Sequence, residues 1–294
     1  MVTERDIAIL QAVCRYYVLS RQQIQRLCFA TDPNGRIARR RLQLLVDAKL
    51  LNRHECSVYS ISHGTPGAAY YPSRKGCEFL AEYFDDEQYL ATPTRMPIAH
   101  HLFHWLTVSE THWVFDEALA RQEDVKIECW LNEWDICNPQ ESVPEKRYSL
   151  FTLLRETPRL VAAPDSAFLL SMSGHSKVFY IEQDRNTSGV RQISASKPPG
   201  YAEMALRKMH RRHFPAATVE TFTVLMIAPT ERRRDALRKG IHGKPGSELW
   251  KFVSQTDLTP ENVLHGSIFF PCEGEPRPLV KKVEQATPTT TQSS

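Results

Sequence analysis

Apolar positions recur at helical spacing along the N-terminal third of the chain. Ile7, Leu10 and Val13 form one stripe, and Thr3 stands where it can cap the helix that carries them. Ser20 is placed to cap a second helix, Arg21 to Leu27, with Ile24 and Leu27 turned inward. The cluster Thr31-Asp32-Pro33-Asn34-Gly35 predicts a turn, because Pro fixes φ and Asn and Gly tolerate the left-handed region. From Arg36 to Lys49 the pattern predicts a third helix. Ile37, Leu44, Leu45 and Ala48 make its apolar face, and Arg36, Arg39, Arg40 and Arg41 crowd its first two turns. Leu50 to Ser60 and Ala68 to Pro72 read as an extended pair joined through His63-Gly64-Thr65-Pro66-Gly67. Ser73 can cap a fourth helix bearing Phe79, Leu80 and Tyr83.

Helix, helix, turn, basic helix and antiparallel pair is the order of a winged helix-turn-helix. Between Arg21 and Arg53 eight Arg and Lys residues face two Asp, a local excess that favours phosphate contacts. The guanidinium fork also suits guanine edges in the major groove. The plain alternative is a solvated basic face on a protein-interaction module. Arg36, Arg39, Arg40 and Arg41, with Arg53 on the first wing strand, are the candidate contacts with double-stranded DNA.

Beyond a Pro-containing stretch, Tyr89 to Pro97, a long helix is expected from about Ile98 to Arg121, apolar at Leu102, Trp105, Leu106, Val114 and Leu119. Val125 to Trp130 is a strand candidate, and Asn138 to Lys146 a loop. Leu160 to Leu170 and Lys177 to Glu182 are two extended runs separated by Ser171 to Ser176, a hairpin connection. A helix from about Pro199 to His213, a β-branched strand from Val219 to Ile227 and a helix capped by Thr230 complete an α/β order with a mixed central sheet. The expected division is 1–88, 98–275 and a disordered tail, 279–294, too polar to bury a core.

The formal net charge of +3 does not by itself point to nucleic acid, so its distribution matters more. Residues 184–244 hold a second basic region, thirteen Arg and Lys against five Asp and Glu. Within it Lys208, Arg211 and Arg212 are candidate phosphate contacts near a helix C-terminus, where some positive charge is expected anyway. Seven cysteines without a Cys-x-x-Cys pair argue against a zinc ribbon or disulfide framework and for reduced thiols in a cytoplasm. No apolar run reaches transmembrane length and no signal-peptide core precedes the first helix, so no membrane partner is expected. There is no Gly-x-x-x-x-Gly-Lys loop to hold ATP. His100 and His104 share a helix face, but without a His-Glu-x-x-His pattern, packing or a contact of this helix with the acidic strand face is the simpler role.

Carboxylates mark the second half. Pro164-Asp165 sits within one expected strand, and Glu182-Gln183-Asp184-Arg185 ends the next. Alternation along a strand puts Glu182 and Asp184 on one face, and a hairpin brings Asp165 close to both. Converging carboxylates repel unless a cation or proton intervenes, so Asp165, Glu182 and Asp184 are candidate ligands for Mg²⁺ or Mn²⁺.

Pro-Asp followed by Glu-x-Lys on the next strand is the pattern of restriction-endonuclease-like nucleases. This chain resembles it at Pro164-Asp165 and Glu182-Gln183, but Asp184 stands where lysine is expected. Lys197, Lys208 or Arg185 are candidates to supply the missing cation. More specifically, the chain resembles the replication-relaxation family of plasmid and mobile-element proteins over roughly residues 3–240. Thr3-Glu4-Arg5-Asp6, Ala38-Arg39-Arg40-Arg41-Leu42, Tyr70-Tyr71-Pro72-Ser73-Arg74-Lys75-Gly76, Pro164-Asp165, Glu182 to Thr187 and Tyr201 carry the likeness. The resemblance implies a winged-helix domain joined to a nuclease-like α/β domain, acting on DNA in plasmid replication or transfer. A replication or transfer protein is an expected partner, and a homodimer is expected because many winged-helix proteins meet symmetric sites that way. Two other readings stay open: a metal-dependent endonuclease using Asp165, Glu182, Asp184 and Lys197, and a winged-helix transcriptional regulator.

Overall fold

The computed structural model describes residues 2–55, 67–98 and 101–281. The protein has an α/β fold that divides into two compact units, Met1–Trp113 and Val114–Ser294. Among the described residues no helix is long and apolar enough to cross a membrane.

In the first unit, α1 (Glu4–Tyr16), α2 (Arg21–Cys28), α3 (Arg36–Asp47) and α4 (Arg74–Phe84) surround a three-stranded sheet. Its strands are β1 (Leu19–Ser20), β2 (Leu51–Glu55) and β3 (Ala68–Pro72), in the order β1-β3-β2 and all antiparallel. The expected caps are in place. Thr3 and Asp6 form a reciprocal capping box at α1, Ser20 and Gln23 another at α2, and Ser73 accepts from Gly76 N at α4. Ile9, Leu10, Val13, Ile24, Ala38, Leu42, Leu45 and Leu80 form the core. Residues 56–66, which hold the expected end of the first wing strand and the wing loop, lie outside the described residues, as does His100.

The apolar face of α3 is not the one its sequence suggested. Ala38, Leu42 and Leu45 are buried, Ala48 is exposed, and Ile37 and Leu44 stay 49% and 45% exposed. Spacings of four and three keep 38, 42 and 45 in one stripe, whereas Ile37 and Leu44 sit about 100° round the helix. The start of α3 is set by Asp32, whose buried carboxylate accepts the amides of Arg36 (3.2 Å) and Ala38 (3.0 Å). Gly35 turns the chain at φ 61°, a left-handed backbone conformation that favours glycine.

The long helix α5 (Leu102–Leu119) precedes the second unit's strands. These are β4 (Val125–Asn132), β5 (Thr152–Arg155), β6 (Leu160–Ala162), β7 (Ser166–Met172), β8 (His175–Gln183), β9 (Phe222–Ala228), β10 (Trp250–Ser254) and β11 (Phe270–Pro271). Between them lie α6 (Pro144–Arg147), α7 (Val190–Leu206), α8 (His210–His213) and α9 (Glu231–Ile241). A mixed sheet runs β11-β10-β9-β8-β7-β4, with β8, β9 and β10 parallel and the outer pairings antiparallel. Thr230 caps α9 as expected.

Three expectations are corrected. Leu160 to Leu170 is not one strand: β6 pairs with β5 in a separate ribbon, and β7 starts only after Pro164-Asp165. Pro164 has no N–H for a ladder. The β7–β8 connection is the two residues Ser173-Gly174, both at positive φ (50° and 78°), not a six-residue loop. The helix expected from Pro199 starts at Val190, runs through Pro198 and Pro199, and ends at Leu206; Lys208 at φ 52° separates it from α8. At Gly200 this helix presses on β6, where an added Cβ would meet Val161 O at 2.6 Å. At the chain's end Val280 is buried and its amide reaches Leu264 O at 2.8 Å, while 282–294 lie outside the described residues.

Candidate nucleic-acid interface and carboxylate site

Arg36, Arg39 and Arg40 are exposed on α3 with no ion pair among the described residues. Arg41 differs. Its Nε donates to Asp6 Oδ1 at 2.8 Å, and its Nη2 pairs with Asp6 Oδ2. Burial works to push the Asp6 carboxyl up, but the Arg41 guanidinium and the Thr3 amide and hydroxyl outweigh it and hold the group below its usual range. Arg41 therefore ties α3 to the start of α1. Arg53, on β2, pairs with the exposed Glu55 at 3.0 Å.

The second basic region is largely engaged within the protein. Lys208 and Arg211 both pair with Glu220, Arg207 with Glu203, and Arg212 donates to Glu145 O at 3.3 Å. Its histidines are not surface groups. His210 is fully buried, and His213 sits between Tyr180 Oη (2.8 Å) and Thr152 Oγ1 (3.0 Å).

Burial pushes the His213 imidazole down to about 4, with Arg212 and His210 adding to the effect. Its folded pKa lies below the unfolded value of 6.5, so this contribution is complete above pH 6.5 and is lost as pH falls toward 4. The full loss is roughly 3 kcal/mol. Urea unfolding at pH 7 and pH 4.5 is expected to show it, and His213→Gln is expected to flatten the difference. An equal fall in the variant would assign the acid sensitivity to other groups.

The carboxylate site is built where β7 and β8 begin and end together. Glu182, near the end of β8, is buried. Tyr201 of α7 donates to Glu182 Oε1 at 2.6 Å, and Lys197, one turn earlier on α7, makes an ion pair with Oε2. Asp165 enters from the start of β7. Its Oδ2 accepts the Gln183 amide at 2.6 Å, and its carbonyl accepts the Glu133 amide at 2.9 Å. Carboxylate oxygens of Glu133 and Asp165 lie within 4.8 Å of each other.

Desolvation pushes the Glu182 carboxyl up to about 7; Asp165 adds to this, while the Lys197 ammonium opposes it. For Lys197 burial acts downward, but Glu182, Asp165 and Glu133 outweigh it and the ammonium is held above its usual range. Burial and the adjacent Glu182 drive the Tyr201 phenol well above its ordinary value. The site thus keeps the Lys197 ammonium protonated, while Glu182 changes protonation state near neutral pH.

Of the expected residues, Asp165, Glu182 and Lys197 come together. Asp184 does not join them. Its two oxygens bind Arg233 Nε (2.7 Å) and Nη2 (3.1 Å), and Nη2 also reaches Ser188 O at 2.6 Å. Strand β8 ends at Gln183, and the first turn of α9 brings Arg233 to that carboxylate. Glu133 was missed because it follows β4 in an ordinary polar stretch. Only the β4–β7 pairing sets it beside Asp165. Tyr201 stood in a recognised motif, but its bond to Glu182 needed the placement of α7.

No curated protein and no solved structure matches the chain significantly. The family model described as replication-relaxation matches residues 10–217, which is more than half of the sequence. The chain belongs to the replication-relaxation family.

Proposed function

We propose that the chain binds duplex DNA and acts in the replication or transfer of a plasmid or integrative element. Family membership supports the link to replication. The observation that carries DNA binding is the set of three exposed arginines, Arg36, Arg39 and Arg40, that α3 presents without internal partners among the described residues. The order of the helices and the antiparallel β2–β3 pair support a winged helix-turn-helix reading, with α3 as the helix that would enter the major groove. Ile37 and Leu44, exposed beside these arginines, suit apolar contact with thymine methyl groups. Arg53 then adds a backbone contact, and a homodimer on a symmetric site is the expected assembly. Fluorescence-anisotropy titration of a labelled duplex across salt tests this. Affinity that falls steeply with salt is expected; a flat, weak signal at all salt concentrations would sink the reading.

A second reading, a metal-dependent endonuclease, has its own support. Lys197 stands beside Glu182 and Asp165, supplying from α7 the cation that the strand lacks at Asp184. Glu133 and Asp165 offer the hard oxygens that Mg²⁺ or Mn²⁺ prefers. Glu182 already accepts from Tyr201 and pairs with Lys197, so a cation on all three carboxylates would share its oxygens with those donors. On the binding-protein reading supercoiled plasmid stays intact with Mg²⁺ and with chelator alike. Cleavage seen only with Mg²⁺ and lost in Asp165→Ala would replace that reading with the nuclease.

A further inference from the structure

We propose that Cys14 and Cys77 are an oxidisable dithiol that closes to an intramolecular disulfide tying α1 to α4. Their sulfurs lie 3.9 Å apart, in van der Waals contact. A disulfide needs about 2 Å, so closure asks the two sulfurs to approach by a further ~2 Å. The two helices already pack on each other, so the residues that carry the sulfurs are on neighbouring elements. Among the described cysteines this is the one pair with sulfurs in contact. Cys28 and Cys272 are thiols that burial pushes up to about 11, and Cys129 and Cys137 are exposed.

The two members of the pair are differently placed. Cys77 is buried in the first turn of α4, where the helix N-terminus and the nearby Arg74 favour a thiolate. The contact with the Cys14 sulfur is the largest influence on the Cys77 thiol and, with Thr92 and Arg74, outweighs burial to hold it below its usual value. Cys14 is only half-buried, so a small oxidant reaches the pair from its side.

Hydrogen peroxide is the oxidant of suitable size. A thiolate of the pair attacks one peroxide oxygen, the O–O bond breaks, and hydroxide leaves and takes up a proton as water. The sulfenic acid so formed is attacked by the second sulfur, its S–O bond breaks, and a second water leaves. Two thiols are oxidised and one peroxide is reduced to two waters. The closed loop spans α2, α3, β2 and β3, so the bond restrains the unfolded chain across the segment that carries Arg36 to Arg40.

The test uses the full chain, reduced, desalted and exposed to hydrogen peroxide, then alkylated under denaturing conditions and mapped by mass spectrometry. The expected result is a linked pair of Cys14 and Cys77 peptides, about 2 Da lighter than the sum of the reduced peptides and separated again by dithiothreitol. Oxidation is also expected to raise the urea midpoint of the wild type and to leave that of Cys14→Ser unchanged, its fold checked by circular dichroism. Recovery of both residues as free thiols at a dose that has oxidised the exposed Cys129 would overturn the proposal. So would a bond from Cys14 to any other cysteine, or a linked pair that leaves the midpoint unraised.

Discussion

Replacing Arg36, Arg39 and Arg40 together with alanine is expected to lower duplex affinity roughly 100-fold at physiological salt. The reasoning is electrostatic. Each arginine that neutralises a phosphate releases condensed counterions, and three such contacts contribute about 2.7 to the slope of log affinity against log salt. The triple variant is therefore expected to show a correspondingly shallower slope as well as weaker binding. Its stability is expected to be close to that of the wild type, because all three side chains are exposed and without internal partners among the described residues. Arg41→Ala is the contrasting variant. It removes the partner of the buried Asp6 carboxylate, so its effect is expected on unfolding before binding. Anisotropy titrations over salt, run beside urea unfolding, separate the two. A triple variant with unchanged affinity and slope would remove α3 from the DNA surface.

Lys197→Met is expected to destabilise the second unit's site by about 3–5 kcal/mol at high pH, and by much less in mild acid. Glu182 is buried, and its neighbours are Tyr201, Asp165 and the Lys197 ammonium. Without that ammonium the carboxylate is left with one hydrogen-bond donor and a like charge nearby. It escapes the cost by taking up a proton, and the pH decides whether it can. In the wild type burial already raises the folded pKa from 4.5 to about 7. An acid raised in this way contributes stability that is present at low pH and is lost as pH rises from 4.5 through 7. Removing the ammonium raises the folded pKa further and extends the loss above pH 7. Urea unfolding at pH 5.5 and pH 8.5 is the measurement, with a deficit that grows with pH as the expected result. Adding Glu182→Gln to the variant is expected to recover much of the high-pH loss, since a neutral amide needs no ammonium. A deficit of the same size at both pH values would show that Lys197 matters for packing and not for charge.

The reach of the sequence differs between the two sites. Around α3 almost everything was local. Thr3, Ser20 and Ser73 announce their helices through capping chemistry that operates within three residues, and Asp32 to Gly35 announces its turn in the same way. The basic start of α3 could be read directly, and so could the order of elements around it. The error there was one of phase. With Ile37 and Ala38 adjacent, apolar residues fit two stripes, and only the packing of α3 on α1 and α2 selects 38, 42 and 45.

At the carboxylate site the motif residues were visible, but their company was not. Asp165 and Glu182 stand in a recognisable pattern and do meet across β7 and β8. Asp184 also stands in it, yet Arg233 claims that side chain from 49 residues further along the chain. Glu133 is brought in by the β4–β7 pairing, and Lys197 by a helix that continues through two prolines. The basic run from Arg207 to His213 shows the same limit, since two of its histidines turn inward and Glu220 takes two of its cations.

The sequence by itself determined the capped helix starts at Thr3, Ser20, Ser73 and Thr230, the turn before α3, the α/β order, the basic third helix and the family. Each rests on contacts within a few residues or on a motif that can be read in place. The tertiary structure alone decided which arginines remain exposed, which acids share a site and which lysine serves them. Those outcomes depend on charges and apolar faces that meet across dozens of residues, where spacing along the chain carries no information about distance in space.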